Sequence, residues 1–247
     1  MPINIGTSRA LLASRPTIVT VTPVIVSLAS ATNSLTGGHT TVTAPTSITS
    51  GNLLLAIAAS GTETWTPPSG WTLFGTKASS GDDPQISVFT KTATGSESGT
   101  YVWSGSGDAA DATNVAIFNI SGANTTTPIN GMFSKYTTTA AVTIGTSGTS
   151  IPTVIGCLPI ACGAIGQLNL SNAGNPTSLT SGWTGQTLVV DQDTGNYGNT
   201  GNNNGYNALY IASGPITTDT STAITAGWTW GGSFSEFTGT SVMLFIT

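Results

Sequence analysis

The stretch Pro67-Pro68-Ser69-Gly70-Trp71-Thr72-Leu73-Phe74-Gly75 returns in its core as Ser181-Gly182-Trp183-Thr184-Gly185. The surroundings return with it. Ahead of the first copy runs the apolar segment Leu53–Ala59, and ahead of the second runs Val154–Cys162. After the first copy come Ile86–Phe89, Tyr101–Ser104 and Val115–Ile120; after the second come Ala208–Ile211, Gly227–Trp230 and Val242–Ile246. The interval from Trp103 to Val115 equals that from Trp230 to Val242. Self-similarity of this kind fixes the architecture before any single element is read. It predicts two half-motifs that share one core.

At 247 residues the chain suits one all-β domain, since sandwiches of this length are commonly single. Charged residues are only 6 %, against roughly 25 % in ordinary soluble proteins, so the surface must be built from hydroxyls and amides. Hydrophobic residues make up 38 % and there are six tryptophans, which sets the chain apart from disordered sequences of low hydrophobicity and high net charge. Five basic against ten acidic residues leave no basic stripe to neutralise phosphates, so no nucleic-acid partner is expected. No apolar run approaches the roughly 18 residues of a membrane span, and no charged segment followed by an apolar one and a cleavage site opens the chain. No membrane partner is expected. Cys157 and Cys162, about 16 Å apart in an extended strand, are too distant to bridge and read as buried thiols.

Residues 1–23 read as an extended N-terminal arm ahead of a sandwich spanning 24–247. They hold Arg9 and Arg15, the apolar pair Leu11-Leu12, and prolines at 2, 16 and 23 that interrupt helix or central strand. A loose chain end is the other reading, but Thr17-Ile18-Val19-Thr20-Val21 carries apolar side chains that want a surface to lie against. Strands are expected at Val24–Leu28, at Thr40–Thr43 and from Thr138 to Ile144. Asp191 to Tyr206 reads as a long polar insertion where the first copy has a shorter turn. No segment sustains a 3.6-residue apolar period, so the fold class is all-β.

The sequence carries little chemistry. His39 is the only histidine and reads as a loop residue, with no Gly-x-Ser-x-Gly elbow to pair with it. The acids are scattered through turn-like segments rather than set as a pair across a cleft. Asp191-x-Asp193-x-Gly195 opens like a calcium loop but lacks the glutamate at the twelfth position, and a solvated loop is the expectation. No phosphate-cradling glycine loop occurs. No catalytic residue, cofactor or metal is expected. Trp71, Trp103, Trp183 and Trp230, placed alike in the two copies, are expected in the shared core, because a duplicated position is duplicated for packing. Trp65, Trp228 and the Tyr197–Tyr206 loop are the ones whose exposure would instead suggest a sugar-stacking platform.

The pattern Gly51-Asn52-Leu53-Leu54-Leu55-Ala56, Pro67-Pro68-Ser69-Gly70-Trp71-Thr72-Leu73 and Phe89-Thr90-Lys91-Thr92-Ala93 resembles β-sandwich proteins of tailed phages, notably cyanophages. The likeness covers residues 50–120 well and the second copy loosely. It implies a virion protein that works by binding rather than catalysis: a capsid cement or decoration protein on the outer surface of the head, or a tail-fibre component. The expectation is therefore a jelly-roll-like β-sandwich assembling as a homotrimer on the major capsid protein. Its arm residues Arg9, Leu11, Leu12, Arg15, Ile18 and Val21 would make the capsid contact. A tail-fibre or receptor-binding protein is the second reading, and a carbohydrate-binding module or lectin the third.

Overall fold

The computed structural model describes residues 21–33, 39–60, 64–77, 85–105, 113–137, 141–145, 156–167, 176–181, 187–193, 206–216, 225–230 and 237–247. Among these there is no helix. The first half supplies β1 (Val24–Asn33), β2 (His39–Thr43), β3 (Leu53–Ser60), β4 (Trp65–Thr66), β5 (Thr72–Lys77), β6 (Gln85–Thr92), β7 (Thr100–Gly105) and β8 (Thr113–Ser121). The second supplies β9 (Ile129–Thr137), β10 (Ala141–Gly145), β11 (Leu158–Gln167), β12 (Pro176–Ser181), β13 (Thr187–Asp193), β14 (Tyr206–Ser213), β15 (Thr225–Trp230) and β16 (Phe237–Ile246).

The duplication holds strand by strand. One five-stranded sheet runs β1-β8-β3-β6-β5 and the other, read from its far edge, β9-β16-β11-β14-β13; the three-stranded sheets run β2-β7-β4 and β10-β15-β12. Adding eight to every strand of the first half reproduces the second. Strands one, eight, three and six in one sheet facing two, seven and four in another is a jelly-roll winding. The fold is thus all-β and jelly-roll-like, the winding being completed within each of two similar motifs. Even the irregularities repeat. The register slips between Ile25 and Ser27 on β1, and β9 slips against β16 between Ile129 and Met132. It slips again between Leu73 and Gly75 on β5 and between Leu188 and Val190 on β13. These four strands are the edges of the five-stranded sheets. A bulge twists an edge away from continued pairing. In a chain with so few charges, bulges take the protective role that lysines usually fill.

The two five-stranded sheets pack face to face. β1 lies over β13 and β8 over β14, while β6 lies over β16. On the remaining edge a Cβ added to Gly75 of β5 would stand 3.1 Å from the Met132 sulfur of β9. These contacts pair up under the exchange of halves, so the repeats meet much as the subunits of a two-fold dimer do. Between them lies one core holding Leu53, Leu55, Ile57, Phe118 and Ile120 from the first repeat, with Leu158, Ile160, Cys162, Leu244 and Ile246 from the second. The first repeat has another core on its outer side, where Leu54, Ala56, Phe89, Val115 and Ile117 pack under Val42, Trp65 and Trp103 of the three-stranded sheet. β3 is therefore covered on both faces, and all eight of its residues are buried. That explains its unbroken apolar run, where a strand wet on one face would alternate.

This layering corrects the expectation for the tryptophans. Trp71 and Trp103 are buried, but in the first repeat's outer core, not in the one shared between repeats. Trp230 belongs to β15 of the other three-stranded sheet, and Trp183 lies outside the described residues. The equal Trp-to-Val intervals also mislead by one residue. Ile57 pairs Ala116, and its counterpart Cys162 pairs Val242, so Val242 matches Ala116 rather than Val115. A one-residue slip reverses the face of a strand. Two further corrections concern loops: His39 is the first residue of β2, opposite Ser104, and Asp191 and Asp193 end strand β13. The expected strand over 138–144 is observed as Ala141–Gly145, with β9 before it unforeseen.

Candidate interaction surface

The chain enters the sandwich at the joint between its two repeats. A Cβ on Gly122, whose φ is +74°, would lie 2.7 Å from Cγ1 of Val21 and 3.0 Å from the Thr22 carbonyl oxygen. Only glycine accommodates both that backbone and that approach. On the other side Thr22 Oγ1 sits 3.7 Å from where a Cβ of Gly156 would be. Thr22 thus passes between the end of β8 and the approach to β11, and Pro23 behind it is buried. The opposite terminus is held at the inter-repeat linker: Asn124 N–H donates to the Thr247 carbonyl at 2.5 Å and Thr247 N–H donates to Pro128 at 3.1 Å. The Asn124 side chain closes the linker by accepting from the Thr126 and Thr127 amides. A pull on residue 21 would load both repeats.

Of the six expected arm residues, Val21 is described and 61 % exposed. Arg9, Leu11, Leu12, Arg15 and Ile18 lie outside the described residues. Sequence reasoning did not anticipate where the other exposed large apolar side chains stand. Val24 and Val26 lie on β1 and Leu188 on β13, which form one side of the sandwich. Leu73 and Phe74 lie on β5, at the other side, and Val102 lies on β7 of the three-stranded sheet. Val26 and Phe74 are the extra residues of their bulges, and an extra residue on an edge strand turns its side chain away from the core.

Beside β5 the Gly70-Trp71 turn is tied down by chemistry that the sequence only partly advertised. Trp71 stacks edge-on against Tyr101 and Trp103, at 5.5 and 5.1 Å between ring centres, and Trp103 meets Phe89 at 5.0 Å. Lys91 Nζ lies 5.5 Å over the Tyr101 ring and 3.5 Å from a Glu97 oxygen. Glu97 in turn accepts hydrogen bonds from the Thr94 and Gly95 amides and the Thr94 hydroxyl. Partial burial works to raise its pKa, but these bonds outweigh it and bring the carboxyl down to about 2. Burial pushes the Tyr101 hydroxyl up. This cluster fixes a turn.

The remaining sequence candidates stay apart. His39 is exposed, with Nδ1 2.8 Å from the Ser104 hydroxyl. Glu63, Asp82, Asp83, Asp108, Asp111, Asp219 and Glu236 lie outside the described residues. Among the described residues no three His, Cys, Asp or Glu side chains gather as a metal site would require. Cys157 and Cys162 are both buried. The indole N–H groups of Trp65, Trp71 and Trp103 are buried without an acceptor. Each costs about 1–3 kcal/mol, which the large apolar area of the rings offsets. Their faces are spent on packing, so these three form no exposed stacking platform.

No family model, no curated protein and no solved structure matches this chain.

Proposed function

We propose that this is a structural virion protein, a cement or decoration protein that binds a phage head from outside through residues 1–23, as a trimer standing on the major capsid protein. The observation that carries the reading is the anchoring of the chain's entry, with Thr22 set between Gly122 and Gly156 and Val21 left exposed. A segment that bears load needs its root held by the body it tethers, and here both repeats hold it. The resemblance of residues 50–120 to phage β-sandwich proteins supports the same class. So does a surface poor in charge, whose few described ionic contacts serve a turn. Three arms on one trimer would bind cooperatively, since docking one raises the effective concentration of the others.

The test is occupancy. Heads lacking the protein are incubated with the full chain and with a variant lacking residues 1–20, and bound copies are counted. The reading expects the truncated chain to fold yet to wash off at concentrations where the full chain stays. Equal occupancy would contradict it. The tail-fibre reading draws on the same resemblance and predicts that no site on the head is filled at all.

A further inference from the structure

We infer that the Leu73–Phe74 edge of β5 is the seat for a neighbouring copy's β1 edge and for the arm leading into it, so that copies join head to tail into a closed ring. The inference rests on the reading of residues 1–23 as a binding arm, and adds where on this chain an arm lands. Leu73 is 52 % and Phe74 42 % exposed, while across the sandwich Val21, Val24 and Val26 are 61, 54 and 44 % exposed. Edge strands are normally guarded by charge, yet of these strands only β5 ends in one, Lys77. Two different apolar edges on opposite sides of one body make a heterologous contact, in which each copy gives one edge and receives the other. Such contacts generate rings when the rotation closes. The bulges at Val26 and Phe74 interrupt a continuous main-chain ladder between the edges, so the contact is made by side chains that the bulges turn outward.

Charge and the position of the arm's root favour a second copy as the occupant. Residues 1–20 hold Arg9 and Arg15 and no acid, whereas residues 21–247 hold three lysines and ten acids, a net charge of −7. The arm is therefore drawn to a body of this chain's own composition. On its own sheet an arm rooted at β1 is four strand spacings, about 19 Å, from β5. On a copy set edge to edge its root stands directly beside β5, so that Ile18 reaches Leu73 and Phe74 while the residues before it stay available to the capsid.

The test uses the full chain free in solution. Sedimentation of the L73S/F74S variant should show a fall in mass of about threefold, from closed trimer to monomer. Both changes are at exposed positions, and an unchanged far-UV circular dichroism spectrum with a cooperative melt would show that the fold is kept. Ile18→Cys combined with Leu73→Cys, oxidised at low concentration, should give disulfides between chains, because Cys157 and Cys162 are buried and do not compete. An intrachain disulfide, no disulfide, or an oligomer indifferent to L73S/F74S would each overturn the inference. No capsid is present in these experiments, so their failure leaves binding of the arm to heads to its own occupancy test.

Discussion

Ile57 and Cys162 occupy one position in two repeats. Ile57 lies between Val88 and Ala116, and Cys162 between Ile211 and Val242, at the middle of the shared core. The thiol donates to the Val242 carbonyl at 3.4 Å. It therefore acts as a small apolar residue in a site that its partner repeat fills with isoleucine.

That setting makes the thiol inert while the chain is folded. Burial pushes Cys162 up to about 12, from an ordinary value near 9. Alkylating reagent at pH 8 should leave Cys162 unmodified in the native chain and modify it in denaturant. Because the folded pKa is the higher one, its contribution is complete below the unfolded value, and stability should fall as pH rises from about 9 towards 12. Rapid native alkylation of Cys162 at pH 8 would mean that the repeats separate readily.

Trp103→Ala should cost about 3–5 kcal/mol, read as a lower denaturation midpoint at unchanged slope. Trp103 is wholly buried and wedged between Phe89 and Trp71. A loss under 1 kcal/mol would contradict the outer core of the first repeat.

Asn119→Ala should cost about 2–3 kcal/mol, because Asn119 is wholly buried and joins four partners, of which Asn52 is buried with it. Its Nδ2 donates to the Ser27 hydroxyl and to the carbonyls of Thr46 and Ser47, and its Oδ1 accepts from Asn52. Ser47 holds the loop with φ at 55°. The cost should show in the same denaturant titration, and substitution of exposed Thr41 should show none of it.

Glu97 gives a pH signature of the opposite sign to Cys162. Its folded pKa of about 2 lies below the ordinary 4.5, so its contribution is present above 4.5 and is lost as pH falls through that window towards 2. Glu97→Gln should lower stability at pH 7 by about 1 kcal/mol and flatten the acid limb between those values. An acid limb identical to the parent's would remove Glu97 from the turn's support.

Much of the fold was legible because burial on both faces leaves an unmistakable trace. Leu53–Ala59 is apolar without interruption and Val115–Ile120 is broken only by Asn119, and both lie in strands buried along nearly their whole length. The strands that escaped reading are the edges. β9, with the sequence Ile-Asn-Gly-Met-Phe-Ser-Lys-Tyr-Thr, has its alternation broken by the bulge near Gly131, and β5 is broken likewise at Phe74. Pattern reading assumes a strict period of two, and a bulge adds one residue to it. The one-residue error that equated Val115 with Val242 has the same root, since sequence spacing carries no register. Of the candidate surface, Val21 was readable as an apolar residue at the arm's base. The exposure of Leu73 and Phe74 was not, because nothing in a single sequence marks which strand is an edge.

The central claim is that many copies of this protein cover a phage head, and copy number tests it most directly. Quantitative peptide counting on purified particles should find the chain in fixed, high stoichiometry to the major capsid protein, with density at the local three-fold positions in particle reconstructions. A handful of copies confined to the tail, or none on any particle, would contradict the account.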